Sequence, residues 1–160
     1  MIDGPTNTPT FVTAGQTIAS VSLTFNPTPT ATFSTHSVTF QTKSILTKDG
    51  KIRIAYPAGV DFDFAAGPAT TASWAGIDGS FATVFDNAAK TVTLTRDNLG
   101  TNTGPVTMTI VFNNVRNTTA KGSYTVTVAS LDASNGGIDA AGTSSPATAV
   151  TGGTVTTVTV

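Results

Sequence analysis

The sequence is dominated by short segments in which apolar residues alternate with threonine or serine. In the clearest of them, residues 106–112, every second position is Val, Met, Ile or Phe, and Thr107 and Thr109 lie between them. Successive side chains of a β-strand point to opposite faces, so this pattern predicts strands with one apolar and one polar face. Gly, Pro, Asn and Asp interrupt the pattern at short intervals, as they do between the strands of a sandwich or barrel. These features predict an all-β chain.

The composition supports the same prediction. Threonine occupies thirty-four positions and glutamate none. Thr favours strands and Glu favours helices, so this bias disfavours helical structure. Charged residues make up 11% of the chain, against roughly 25% in an ordinary soluble domain. The polar surface must therefore consist mainly of hydroxyl groups.

About eight to ten strands are predicted, and a chain of 160 residues is long enough for one domain with its own core. This combination favours a two-sheet antiparallel β-sandwich, either immunoglobulin-like or jelly-roll-like. The Asp49-Gly50 pair, in the turn that begins at Lys48, is of the kind that favours a tight hairpin. A second hairpin is predicted between the strand at residues 106–112 and the strand that begins at Tyr124.

The chain is predicted to consist of two parts. Residues 1–10 contain Gly4, Pro5 and Pro9, which resist both helix formation and internal sheet pairing, so they are predicted to form an extended arm. Residues 11–160 are predicted to form a single β-sandwich domain. Its last strand is predicted at residues 154–160.

Several classes of function are disfavoured by what the sequence lacks. The chain has no cysteine, which removes thiolate catalysis and thiolate zinc sites, and a single histidine, His36, disfavours the common histidine-based metal sites and triads. The net charge of -1 provides no basic surface for nucleic acid. No apolar run approaches the roughly 20 residues of a membrane helix, so membrane insertion is not expected. A glycosidase pair drawn from Asp61, Asp63 and Asp78 is not selected by any spacing. We therefore expect a protein that is not an enzyme and has no cofactor other than, as a candidate, calcium.

Two groups of residues are candidate calcium ligands. Asp61 and Asp63 lie two positions apart on one predicted strand face, about 7 Å from each other. Asp132, Asn135 and Asp139 lie close together among glycines, although their spacing matches no standard calcium loop. In both groups the alternative is structural: a solvated strand face for the first and a Gly-rich turn for the second.

Two surface features suggest contact with glycans. Asn117-Thr118-Thr119 is an N-glycosylation sequon in a predicted loop, although one such match is expected by chance in a Thr- and Asn-rich chain. The flat rings of Trp74 and Tyr56 could form a stacking platform for sugars, whereas large aromatic residues in a sandwich more often lie in the core.

Four segments occur in an order that resembles a known type of domain. They are Asp49–Gly59, Val92–Thr95, Val115–Asn117 and Gly122–Val128. Together they resemble the Thr-rich immunoglobulin-like β-sandwich repeats of bacterial and archaeal surface proteins, over about residues 35–140. The resemblance implies a module of an adhesin, surface layer or extracellular filament, with no catalytic residues to carry over. The extra N-terminal arm departs from such repeats and suggests assembly through that arm.

These observations lead to one functional hypothesis and one alternative. The chain is expected to be a non-catalytic structural subunit of an extracellular or cell-surface assembly, a filament or surface layer. Its partners would be copies of itself, joined head to tail when the arm or the terminal strand adds to an exposed sheet edge of a neighbour. The alternative is a monomeric adhesin or carbohydrate-binding module that acts through loops at one end of the sandwich.

Overall fold

A computed structural model describes residues 15–153, and these residues form an all-β domain. Its strands are numbered in chain order: β1 Ala19–Asn26, β2 Phe33–Gln41, β3 Lys51–Ala55, β4 Thr71–Ala75, β5 Phe81–Asp86, β6 Thr91–Arg96, β7 Thr107–Arg116, β8 Gly122–Tyr124, β9 Thr127–Leu131, β10 Gly137–Thr143 and β11 Thr148–Val150. The prediction of an all-β sandwich is confirmed, with eleven strands in this part of the chain where about eight to ten were expected. Residues 15–153 contain no helix that could cross a bilayer.

The strands form two main antiparallel sheets. Sheet I has the order β1-β2-β7-β4, and sheet II has the order β10-β9-β3-β6-β5. A small third sheet pairs β11 with β8. Antiparallel hairpins join β1 to β2, β5 to β6 and β9 to β10. The remaining connections pass between sheets, as in a β-sandwich with Greek-key connectivity.

The core lies between sheets I and II and follows from the alternation in the sequence. In β2, β6 and β7, the apolar residues of the alternating pattern are buried and the threonines between them reach the surface at least in part. Burial of each large apolar side chain contributes roughly 1.5–3 kcal/mol. Completely buried side chains come from both sheets: Val38, Phe40, Ile52, Ile54, Leu94 and Ile110.

Both predicted hairpins are wrong in the same way. Lys48 and Asp49 do form a turn, but β2 before it belongs to sheet I and β3 after it belongs to sheet II. Strand β7 likewise belongs to sheet I, while β9 pairs with β3 and β10 in sheet II. Local turn chemistry favours a reversal of the chain, but it does not decide which sheet receives the next strand.

Residues 60–64 alternate as predicted without forming a strand. Phe62 and Phe64 are buried in the core, but this segment takes part in only one isolated bridge in the described structure, between Asp63 and Arg116. The alternation here therefore reflects an extended segment that covers the core. The predicted arm, residues 1–10, and the predicted last strand, residues 154–160, lie outside the described residues and stay predictions.

Candidate functional site

Two neighbouring sheet edges form one side of the sandwich, which we call the open side. β4 is the last strand of sheet I and β5 is the last strand of sheet II, and residues 76–80 connect them. Within residues 15–153, no further strand and no isolated bridge pairs with the outer edge of either strand. Every second residue of an edge strand leaves its N–H and C=O groups without a partner in the sheet. The open side therefore presents backbone groups to which another strand can add.

The opposite side, formed by β1 and β10, is covered by the chain itself. The backbone N–H of Ile18 donates to the carbonyl oxygen of Ala140 at 3.0 Å, and the N–H of Ala140 donates to the carbonyl oxygen of Gln16 at 2.8 Å. On β1, the carbonyl oxygen of Val21 accepts a hydrogen bond from the N–H of Ser145 at 3.1 Å. These contacts use the edge groups that would otherwise accept another strand. The two sides of the sandwich are therefore not equivalent.

Strands β4 and β5 also lack the features that usually protect an exposed edge. Proteins discourage edge-to-edge pairing with proline, lysine, bulges or covering segments. Neither β4 (TASWA) nor β5 (FATVFD) contains Pro or Lys, and both pair with their neighbours without a register shift. Both β1 and β10 contain such irregularities. The two open edges are therefore regular and uncharged along most of their length. The β5 edge is also partly apolar, because Val84 is 63% exposed.

Aromatic side chains along the open side cover the core only in part. The Trp74 ring meets that of Phe81 edge-on, with 5.2 Å between the ring centroids, and its Nε1–H donates to the carbonyl oxygen of Gly79 at 3.3 Å. Phe85 packs edge-on against Phe112, with 5.9 Å between centroids. Trp74 and Phe85 both remain half-buried. An added strand would remove their remaining apolar surface from water.

The predicted sugar platform of Trp74 and Tyr56 is wrong. Tyr56 is only 4% exposed, and its hydroxyl lies 3.0 Å from Nδ1 of the buried His36. Its ring packs against Phe62 inside the domain, so it presents no face to a ligand. The structural alternative, a core tyrosine, is confirmed.

A buried arginine holds together the loops at one end of the open side. The Arg96 side chain has no exposed surface. Its Nη1 donates to the carbonyl oxygens of Leu46, Thr47 and Thr101 at 3.3, 3.0 and 2.8 Å. Its Nη2 donates to the Asp78 carboxylate at 2.7 Å and to the Asp78 carbonyl oxygen at 3.2 Å. Because Asp78 lies in the connection between β4 and β5, this guanidinium helps to fix the relative position of the two open edges.

A second buried polar network surrounds the single histidine. The Asn117 side-chain N–H groups donate to the carbonyl oxygens of Pro27 and Pro29 at 3.0 and 2.9 Å, which fixes the orientation of its amide. Asn117 Oδ1 must then accept from His36 Nε2–H, at 2.9 Å, so Nδ1 accepts from the Tyr56 hydroxyl. Burial lowers the pKa of His36 from 6.5 to about 4, an effect that the hydrogen bond to Asn117 opposes. Burial also raises the pKa of Tyr56.

This network is at odds with the predicted glycan on Asn117. The residue has no exposed surface, and both hydrogens of its Nδ2 are donated to the backbone carbonyls of Pro27 and Pro29. A glycan on Nδ2 would break one of these bonds and force a large polar group into the interior. The sequence motif is therefore explained by packing: the asparagine closes the loop between β1 and β2.

The structure does not bring Asp61 and Asp63 to a common metal site. The Asp61 carboxylate accepts hydrogen bonds from the hydroxyls of Thr118 and Thr119 and from the Thr119 N–H, which lower its pKa to about 2. Asp63 Oδ1 accepts from the Ala65 N–H at 2.8 Å and from the Asn87 side chain at 2.9 Å. Each carboxylate thus stabilises a different pair of loops.

The second candidate group is also divided among separate contacts. Asp132 Oδ1 accepts the N–H groups of the turn that follows it, and Asn135 Oδ1 accepts from Lys51 Nζ at 2.7 Å. Asp139, 2% exposed, accepts through Oδ2 from Ser130 Oγ at 3.1 Å and from the Lys43 N–H at 3.1 Å. Its buried Oδ1 has no hydrogen-bond partner. Residues 15–153 contain no group of three or more His, Cys, Asp or Glu arranged to hold a metal.

The calcium hypothesis therefore stays a prediction that rests on one atom, Asp139 Oδ1. If calcium binds there, the melting temperature will be higher in calcium than in EDTA, because a ligand that binds only the folded state stabilises it. Asp139→Asn would then abolish the difference, while the matched variant Asp132→Asn would preserve it. Equal melting temperatures in calcium and EDTA, measured by differential scanning calorimetry, would contradict the hypothesis.

No ligand-sized cavity opens on the surface formed by residues 15–153. The features with functional potential are therefore surfaces: the open side and the loops that Arg96 anchors. Neither was identifiable from the sequence, because the order of strands in a sheet is not encoded in any local motif.

Comparison with solved structures finds several similar domains. The chain is similar to the collagen-binding domain of a Staphylococcus aureus adhesin, with a TM-score of 0.45 and 11% identity over 81% of this chain and 95% of that one. It is also similar to the B domain of a biofilm-associated protein, with a TM-score of 0.41 and 13% identity over 79% of this chain and 42% of that one. A third similar structure is a non-cellulosomal cohesin from the archaeon Archaeoglobus fulgidus, with a TM-score of 0.37 and 14% identity over 81% of this chain and 91% of that one.

At such identities and TM-scores these structures assign no function to this chain. No protein-family model matches the sequence, and the search of curated proteins also found no match.

Proposed function

We propose that this chain is a non-catalytic structural subunit of an extracellular or cell-surface assembly, a filament or surface layer, in which copies join head to tail by strand addition at the open side. The observation that carries the proposal is the difference between the two sides of the sandwich. One side is covered by residues 16–18 and by Ser145, whereas β4 and β5 present regular edges that nothing else within residues 15–153 pairs with. Such an edge on a natural domain is a liability unless it has a partner.

The low charge of the chain supports an assembled state. Only 11% of residues are charged and the net charge is -1, so like-charge repulsion between copies is weak. Strand addition obtains its affinity from backbone hydrogen bonds and from apolar side chains of alternate residues. Val84, Trp74 and Phe85 provide apolar surface on the two faces of the open edges. A contact between different surfaces of two copies continues into a filament unless it closes as a ring.

An edge-blocking substitution tests this proposal. We expect Val84→Lys to raise the concentration needed for assembly by about tenfold or more, because lysine on an edge strand discourages pairing with another strand and removes the apolar surface of Val84. The matched control is Thr91→Lys, which puts the same charge on the same sheet face but on the internal strand β6, next to Asp86. Electron microscopy and size-exclusion chromatography should show filaments or sheets for the unchanged chain and the control.

Two results would contradict the proposal. The first is a monodisperse monomer for the unchanged chain at every concentration. The second is assembly of Val84→Lys at the same concentration as the control. Circular dichroism spectra and melting temperatures of the two variants would show that both remain folded.

A monomeric adhesin or carbohydrate-binding module is the second candidate function, and one observation favours it. Leu99 is 86% exposed and Ile45 is 58% exposed, and both lie in loops that are held in place around Arg96. Apolar side chains presented on a rigid loop cluster suit recognition of another molecule. A monomeric chain that binds a glycan or protein array, and loses binding when Leu99 is changed to Ser, would support this candidate.

A further inference from the structure

We infer that Asn135 is a self-modifying site, at which the backbone nitrogen of Gly136 attacks the side-chain amide and converts it into a carboxylate with loss of ammonia. The site lies in the turn between β9 and β10, and its chemistry does not depend on the proposed function. Asn135-Gly136 is the sole Asn-Gly dipeptide in the sequence. Glycine has no Cβ, so its backbone nitrogen is the least hindered nucleophile that can follow an asparagine.

The turn holds the two reacting residues on the surface. The Asn135 N–H donates to the carbonyl oxygen of Asp132 at 3.1 Å, and the Asp132 N–H donates to the carbonyl oxygen of Gly136 at 2.8 Å. Asn135 has a φ of 70°, in the left-handed region that asparagine adopts more readily than most residues. Both Asn135 and Gly136 are exposed. Water therefore reaches the amide and the product formed from it.

The nucleophile is in contact with a base. The Gly136 N–H donates to Asp132 Oδ1 at 2.7 Å, within the distance at which a carboxylate can accept the proton of a reacting group. The same oxygen accepts the Ser134 N–H at 2.8 Å, which holds the carboxylate in place. The Gly136 nitrogen and the Asn135 Cγ belong to neighbouring residues, so the attack closes a small ring and needs no distant group to approach.

The amide under attack is in contact with a cation. Lys51 Nζ donates to Asn135 Oδ1 at 2.7 Å, a distance typical of a charge-assisted hydrogen bond. Lys51 is the first residue of β3, and β3 pairs with β9, so sheet II brings this ammonium group to the turn. Attack moves negative charge onto Oδ1, where a positioned cation stabilises it. A base, a nucleophile and a cation are thus assembled around one amide.

The reaction needs water as its only co-reactant. The Gly136 nitrogen forms a bond to Cγ and gives its proton to Asp132, and the bond between Cγ and Nδ2 breaks. The proton reaches Nδ2 through solvent, so ammonia leaves and a succinimide remains. Water then adds to one of the two succinimide carbonyl carbons and gives aspartate or isoaspartate. Either product adds one negative charge to a chain whose net charge is -1.

Mass spectrometry of the full chain tests this inference. After incubation of the folded chain near neutral pH, the peptide that contains Asn135 should gain the mass difference between an amide and a carboxylic acid. Asn98 is the internal control, because it is also exposed and has a φ of 64° but is followed by Leu99. Its peptide should keep its mass over the same period. An unchanged mass at Asn135 would overturn the inference.

Two variants test whether the neighbouring groups take part. Asp132→Asn replaces the base with an amide of the same shape, and Lys51→Met removes the ammonium group but keeps most of the apolar stem. We expect each to slow the conversion about tenfold. The matched control is Arg53→Met, which removes a positive charge from the same face of β3 and should leave the rate unchanged. Equal rates in all three variants and the unchanged chain would overturn the roles of Asp132 and Lys51.

Unfolding provides a comparison that requires no variant to fold. In concentrated urea the chain keeps the Asn-Gly dipeptide but loses the contact between Lys51 and Asn135 that sheet II creates. We therefore expect the conversion to be about tenfold slower in the unfolded chain than in the folded one. A rate in urea equal to or higher than the folded rate would show that the dipeptide alone reacts, and would overturn the inference of an assembled site.

Discussion

Replacing Arg96 with methionine is expected to lower the free energy of unfolding by about 1.5–3 kcal/mol. Methionine keeps much of the apolar stem of arginine and removes the guanidinium. The carbonyl oxygens of Leu46, Thr47 and Thr101 then each lose one of two donors, and Asp78 Oδ1 loses the guanidinium. The Thr103 N–H, the Gly50 N–H and the Thr103 hydroxyl remain as their other donors. A hydrogen bond to a charged group contributes about 1.5–3 kcal/mol, and here several such bonds are lost together. The ion pair with Asp78 contributes less to this loss of stability than the bonds to the carbonyl oxygens, because the Asp78 side chain is 48% exposed.

Urea unfolding followed by circular dichroism measures this effect. The midpoint should fall while the slope of the transition stays the same, since the surface exposed on unfolding changes little. Arg96→Lys should recover part of the loss, because lysine retains the charge but cannot donate to several carbonyls in the plane of a guanidinium. The matched control is Arg53→Met, an arginine exposed on the outer face of β3, for which a change within about 0.5 kcal/mol is expected.

An equal decrease in the free energy of unfolding for Arg96→Met and Arg53→Met would contradict the role assigned to Arg96. The consequence for assembly is indirect. Arg96 holds Asp78 between β4 and β5, so its loss should also loosen the geometry of the open side.

Acidification from pH 7 to pH 5 is expected to reduce the free energy of unfolding by about 2 kcal/mol through His36 alone. The pKa of His36 is about 4 in the folded domain and 6.5 in the unfolded chain. Above pH 6.5 the histidine is neutral in both states and contributes no pH dependence. As the pH falls below 6.5, His36 binds a proton in the unfolded chain but not in the folded domain, so stability declines until the pH reaches about 4. The whole difference corresponds to about 3 kcal/mol.

The physical cause is the absence of water and counter-charge around the ring. His36 is completely buried, its ring lies 4.5 Å from that of Phe25 between centroids, and its two nitrogens contact only the neutral groups of Tyr56 and Asn117. The desolvation free energy of an imidazolium there exceeds the stabilisation that these hydrogen bonds supply. Because the chain has no second histidine, the interval between pH 5 and 6.5 reports on this residue.

Two variants test the assignment of this pH dependence. His36→Gln should be less stable at pH 7 but should show little change between pH 7 and pH 5. Tyr56→Phe removes one hydrogen bond and keeps the histidine buried, so it should retain the decline. A decline of the same size in His36→Gln would show that other groups cause it. Below pH 4 the loss should continue through Asp61 and Asp78, whose pKa values lie below the usual range because the Thr118, Thr119 and Thr101 donors stabilise the ionised carboxylates.

The sequence predicted the fold class correctly, but the structure does not bring the candidate site residues together at exposed sites. The glycan prediction for Asn117 and the sugar-platform prediction for Tyr56 both required these residues to lie on the surface. In the structure both are buried: Asn117 donates to the Pro27 and Pro29 carbonyls between β1 and β2, and Tyr56 bonds His36. The aspartates were grouped by spacing along the chain, whereas in the folded domain each one accepts hydrogen bonds from a different loop. Spacing indicates which groups are near in sequence and says little about which donors reach them.

The sequence by itself determined the class of the fold. Period-two alternation, abundant threonine and the absence of glutamate leave a chain that can bury its apolar side chains only as strands. The apolar residues of the clearest alternating segment, Met108, Ile110 and Phe112, are completely buried. The tertiary structure decided which strands became edges, where Arg96 and His36 found their partners, and which side of the sandwich stayed open. Those outcomes depend on contacts between residues up to about a hundred positions apart, and no local pattern records them.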